Sequence, residues 1–229
     1  MPHFIKKKLG VKMREKLKVA VLVEVHPFDI MNFQNMLWSF DDCECYVQPV
    51  DLFVQDNENN GKYDVVLYYC MNLPTPAEDS FLRKYIEEKL GSTNQGILLL
   101  HHALLSFPNW DFWDDVSGMK IRCVDGIFEF HQNEIVKYQL LDIDHPILSD
   151  IEPCTIKDET YIMGEPVVGD NDILIQTANT NSIKNIAWTR KYKNSRVFCY
   201  ASGHDNTTYS SEDFRRILHN GILWCANLK

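Results

Sequence analysis

The chain has 229 residues, 45% of them hydrophobic, and carries 23 Lys and Arg against 32 Asp and Glu, for a formal net charge of −9. That length can bury a sizeable core, and one domain is expected. No apolar run approaches the roughly 20 residues that span a bilayer, and seven cysteines without CxxC spacing read as reduced thiols; a cytoplasmic protein with no membrane partner is expected.

Lys6, Lys7, Lys8, Lys12, Arg14, Lys16 and Lys18 crowd the beginning of the chain against Glu15 alone. This predicts a basic tail over residues 1–16 and a single domain over 17–229. An acidic body behind that tail argues against a nucleic-acid partner.

In chain order, Leu17–Val25 is a short apolar, β-rich run, followed after His26-Pro27 by a helical pattern through Phe28, Met31, Phe33, Met36, Leu37 and Phe40. Cys45–Val50 and Tyr63–Met71 read as strands. Thr75-Pro76-Ala77-Glu78 has the form of a capping box, predicting a helix with Phe81, Leu82, Tyr85, Ile86 and Leu90 on one face and Gly91 at its end. Gly96–His101 is a further core strand. From about Asn109 to Glu165 the pattern is irregular, with strands expected at Ile127–Phe130 and Ile135–Leu141 and turns at Asp144-His145-Pro146 and Glu152-Pro153. Asp172–Thr177, Ile186–Arg190 and Arg196–Ala201 restore strands, and Ser211–Ala226 is a closing helix. The alternation predicts a flavodoxin-like, doubly wound, mostly parallel sheet with an irregular insert.

Ligands of open α/β sheets bind beyond the carboxyl ends of the strands, so residues there are the candidates for function. Four of the eight histidines stand at such ends: His26, His101, His102 and His204. Histidine exchanges protons near neutral pH and ligates metals, which makes this clustering a signal where a single one would not be. Gly203 permits a sharp turn that projects His204, with Asp205 or a nearby acid to fix its tautomer. His131 and the pair Asp158-Glu159 with Tyr161 fall in the insert, from which they could fold over the cleft. Phe107, Trp110, Phe112 and Trp113 could line a sugar-sized pocket, form a lid or dimer surface, or pack in the core. GxGxxG, GxxxxGK[ST], GxSxG and HExxH are all absent.

Leu100-His101-His102, FEFH ending at His131, Asp158-Glu159-Thr160-Tyr161, Ala187-Trp188-Thr189-Arg190 and the run from Arg196 to Gly203-His204-Asp205 form an ordered series. In it the chain resembles the ThuA-like, or trehalose-utilisation, family from about Val19 to Ala226. The resemblance implies a class I glutamine amidotransferase-like fold and a role in carbohydrate metabolism on trehalose-like disaccharides or their oxidised derivatives. In amidotransferases a cysteine nucleophile occupies the sharp turn after a central strand; here His101-His102 stands there, so glutamine hydrolysis by that route is not expected.

Two functions fit. In the first, His102, His204 and Glu159 are catalytic groups of a sugar isomerase, hydrolase or lyase, while His26, His101, His131, Tyr161, Arg190 and Asp205 bind substrate, and a divalent metal could be held through His131 and His204. In the second, the chain is a non-catalytic sugar-binding or regulatory subunit that lacks the nucleophile. Either takes a small-molecule sugar as partner and is compatible with a homo-oligomer.

Overall fold

β-branched and aliphatic runs bounded by turn residues set the central elements, and the computed structural model describes them over residues 15–123, 128–142, 144–167 and 169–229. The first half comprises β1 (Leu17–Glu24), α1 (Ile30–Trp38), β2 (Cys43–Pro49), α2 (Val50–Gln55), β3 (Val65–Cys70), α3 (Phe81–Lys84) and β4 (Gly96–Leu100). The second comprises α4 (Asp111–Ser117), β5 (Glu129–Lys137), β6 (Gln139–Leu140), β7 (Thr155–Ile162), β8 (Asp172–Gln176), β9 (Asn185–Tyr192), β10 (Ser195–Tyr200), α5 (Asn206–Tyr209) and α6 (Glu212–Cys225). Apart from Glu15 and Lys16, the expected basic tail lies outside the described residues.

Eight strands form one sheet in the order β2-β1-β3-β4-β10-β9-β8-β6. The first five are mutually parallel and follow the flavodoxin-like order, and β9, β8 and β6 extend the sheet antiparallel. Every residue of β3 and β4 is buried, as an apolar strand covered on both faces requires. Phe198 and Cys199 show the two covers: Phe198 lies against Gly221 of α6, whereas the thiol of Cys199 meets the Ser117 carbonyl of α4. Adjacent strand residues face opposite sides, so these helices sandwich the sheet. Each fully buried aliphatic side chain contributes on the order of 1.5–3 kcal/mol.

Several expectations are corrected. The helix expected after the capping box, α3, starts at Phe81, not at Pro76, because Ser80 caps it by accepting the N–H of Arg83, and Ser80 also donates to the Ala77 carbonyl. Val50 opens the short helix α2 rather than ending a strand. Phe28 precedes the first helix, which Asp29 caps, and Met31 is exposed. The insert is organised around a ribbon in which β5 and β7 pair antiparallel, Phe130 opposite Tyr161 and His131 opposite Thr160, with the register shifting between His131 and Glu134. Of the strand expected at 127–130, Ile127 lies outside the described residues. Phe107, Trp110 and Trp113 are buried, Trp113 donating from its indole to the Ala103 carbonyl, so these rings are core and not a lid. Among the described residues no helix is long and apolar enough to cross a membrane.

Candidate functional site

β1, β3, β4 and β10 end on one rim of the sheet because they run parallel. Beyond β4 the backbone turns sharply through His101, a non-glycine residue with φ of +52°. Such a conformation costs on the order of 1–3 kcal/mol and persists only where surroundings enforce it. Here burial and a 2.8 Å contact between Nδ1 and the Ala201 carbonyl enforce it. A carbonyl only accepts, so Nδ1 carries a proton, and in the neutral ring Nε2 presents a lone pair.

Beyond β10 the chain turns at Gly203, whose φ of +129° favours glycine. A Cβ there would approach Phe214 to 3.3 Å and Leu100 to 3.4 Å. The buried carboxylate of Asp158 clamps this turn, Oδ2 accepting the Gly203 N–H at 2.8 Å and Oδ1 the His204 N–H at 3.0 Å and the Thr208 hydroxyl at 2.8 Å. Tyr69 closes the other side by donating to the Gly203 carbonyl at 2.8 Å.

These two turns and β7 bring three atoms together. His204 Nδ1 lies 3.3 Å from Glu159 Oε1 and 3.3 Å from His101 Nε2, which is 3.6 Å from the same carboxylate oxygen. The Tyr161 hydroxyl reaches His101 Nε2 at 2.6 Å and, facing a lone pair, donates to it. Burial pushes the Glu159 carboxyl up, but its contact with His101 and the neighbouring His204 outweigh that and hold it below the usual carboxylate range. Burial, reinforced by the Glu159 charge, holds the Tyr161 phenol well above its ordinary value. The cluster therefore combines an anionic carboxylate, a protonated phenol and two imidazoles.

The cluster opens on a cavity of about 490 Å³, with Met71, Leu105, Phe128 and Phe130 as apolar lining and His26, Gln132, Glu159, Tyr161 and His204 as polar lining. That volume falls within the roughly 300–1,000 Å³ of small-molecule sites. A larger cavity of about 790 Å³ between Lys137–Leu140 and Leu148–Pro153 is lined by Lys137, Tyr138, Asp150 and Glu152 but by no histidine, whereas His26 and His204 both line the smaller one.

The expected site residues divide. His26, His101, His204, Glu159 and Tyr161 are brought together. His102 is not in the cavity lining: it is fully buried, stacked on His26 at 4.3 Å, and burial with the adjacent His101 and His26 depresses its imidazole pKa well below normal. The left-handed turn directs the first ring of the pair, His101, at His204. His26 is also depressed by burial and the neighbouring histidines. His131 pairs with Glu129 at 3.2 Å, outside the cavity lining and the convergent set. Arg190 lies opposite Val197, at the amino-terminal end of the parallel strands, and donates to the Asp115 carbonyl. Asp205 caps α5 through the N–H groups of Thr207 and Thr208; Glu159, and not Asp205, meets the His204 ring.

Sequence reading overlooked Gln132, whose amide reaches Glu159 Oε2 at 3.5 Å, and the clamping role of Asp158. Alternation along β5, which sets Phe130 and Gln132 on the cavity side, is the signal that could have found Gln132.

The sequence matches the family model described as trehalose utilisation, ThuA, over residues 42–225. Among solved structures it is similar to a ThuA-like protein from Parabacteroides merdae, at 18% identity and a TM-score of 0.70 over 93% of this chain and 91% of that one. A cytoplasmic protein from Salmonella typhimurium is similar at 12% identity and a TM-score of 0.64, covering 91% and 99% of the two chains. A Thermoplasma acidophilum protein assigned as part of a GMP synthase is similar at 14% identity and a TM-score of 0.57, covering 93% and 96%. No curated protein matches the sequence. The structural likenesses give the glutamine amidotransferase-like α/β fold, and the family match, which spans most of the sequence, shows that the chain belongs to the ThuA family.

Proposed function

We propose that the chain is a cytoplasmic enzyme of carbohydrate metabolism that acts by acid-base chemistry on a trehalose-like disaccharide or its keto derivative. One observation carries the reading: the His204 ring, with Glu159 Oε1 at 3.3 Å, lines a cavity that combines aromatic and polar groups. Aromatic faces accept the C–H faces of a pyranose, and the polar side supplies partners for its hydroxyls. With Nδ1 directed at Glu159, His204 keeps Nε2 for proton exchange with the sugar, and Tyr161 is a second proton donor. Isomerisation, hydrolysis and elimination all use such a pair. Glutamine hydrolysis does not fit, since His101 occupies the turn that would carry the nucleophile, and burial holds the thiols of Cys70 and Cys199 far above the range in which they ionise.

The missing thiolate favours a second reading, a sugar-binding or regulatory subunit without turnover. A thermal-shift screen against disaccharides and 3-keto sugars, followed by product analysis for each hit, separates the two. Stabilisation with turnover, abolished in His204→Ala, supports the enzyme; stabilisation without turnover supports the subunit; no stabilisation by any sugar sinks both.

A further inference from the structure

We infer that His101, Glu159 and His204 form a three-ligand site for a divalent transition-metal cation, zinc being the best match. The cation site stands on its own geometry; only what occupies its open position rests on the sugar reading. Three donor atoms from three separate elements converge with separations of 3.3, 3.3 and 3.6 Å. A tetrahedral zinc ion with ligands roughly 2.1 Å away needs ligand pairs about 3.4 Å apart, so the separations are those of one tetrahedral face.

The ligands are also oriented as metal ligands are. The Ala201 carbonyl takes the Nδ1 proton of His101 and aims Nε2 inward; Asp158 fixes the backbone of His204; Gln132 reaches the second oxygen of Glu159. Such outer contacts set tautomer and ring direction in metal sites. Two imidazoles and one carboxylate form the ligand set of open zinc centres, which leave a fourth position free, and here the cluster borders the cavity. The open position would take a hydroxyl or carbonyl oxygen of the sugar, or a water. Tyr161, which donates to His101 Nε2 while that lone pair is free, would give up this contact to the cation.

A second grouping, Asp42, Cys43 and His219, lies partly exposed on the surface, and Asp42 already accepts from His219 at 2.6 Å and from the Cys43 thiol at 3.4 Å. His219→Ala removes it as a source of adventitious binding. The test uses chelator-treated full-length protein carrying His219→Ala, titrated with zinc and, separately, cobalt(II). One equivalent of zinc should bind and raise Tm, and cobalt should give the intense visible absorption of a four-coordinate centre. Glu159→Gln and His204→Ala should each weaken zinc binding at least about tenfold; both are read by near-ultraviolet circular dichroism, so a variant that fails to fold is set aside and the other decides. Absence of zinc binding, or equal binding in a folded variant, overturns the site. Sugar stabilisation without zinc binding would overturn the cation and leave the sugar reading; zinc binding with no sugar response would do the reverse.

Discussion

Oδ1 of Asp158 accepts the backbone N–H of His204 at 3.0 Å, while the next residue, Glu159, meets the His204 ring at 3.3 Å. Neighbours on one strand thus fix both the backbone and the side chain of the same histidine, because alternate residues of β7 face opposite ways. Asp158→Ala removes the acceptor of four donors, the N–H groups of Glu159, Gly203 and His204 and the Thr208 hydroxyl, of which Thr208 keeps the Lys157 carbonyl. A loss of about 2–4 kcal/mol in unfolding free energy is expected from denaturant titration. Asp158→Asn should recover only part of it, since one amide face offers N–H where an acceptor is needed.

Gly203 sits at φ +129° with Leu100 and Phe214 close to where a Cβ would project. Gly203→Ala should cost roughly 1–3 kcal/mol and displace His204. Zinc affinity and sugar stabilisation should fall together, and their survival at wild-type levels would show that the turn tolerates a side chain.

Arg190 offers a contrast. It braces α4 by donating to the Asp115 carbonyl at the far end of the strands from the cavity. Arg190→Ala should lower stability by about 0.5–1.5 kcal/mol and leave ligand-induced shifts unchanged. A selective loss of sugar response in the folded variant would contradict this placement.

Glu134 ties β5 to the loop before β9 by accepting from the Asn179 and Asn181 amides at 2.8 and 3.0 Å, and these hydrogen bonds hold its carboxyl below the usual value. Since the folded pKa is the lower one, the stabilisation is complete above the unfolded value of about 4.3 and disappears as pH falls through the folded value. The stability difference between wild type and Glu134→Gln should therefore shrink on acidification, measured by urea unfolding from pH 6 to pH 3. A difference that does not change with pH would show that the carboxylate is not held by these amides.

Local sequence determined the core of this protein and the set of residues from which its site is drawn. The apolar runs at Val19–Leu22, Val65–Cys70 and Gly96–Leu100 could only be strands covered on both faces, and histidines placed just after them had to gather on one rim once those strands lay parallel. Tertiary structure decided which histidine of an adjacent pair faces His204 and the cavity cluster. His101 and His102 are identical in local chemistry, but the left-handed turn sends one ring toward His204 and buries the other behind His26. The partner of His204 was likewise illegible: Asp205 is adjacent in sequence and Glu159 is 45 positions away, yet Asp205 is consumed in capping α5. The strand that supplies Glu159 has a polar stretch, Lys157-Asp158-Glu159, that hides its β character, because burial of those carboxylates becomes affordable only through donors from distant turns. Propensity and periodicity report short-range physics; the meeting of β7 with two strand-end turns is a long-range event, and the candidate site exists only where they meet.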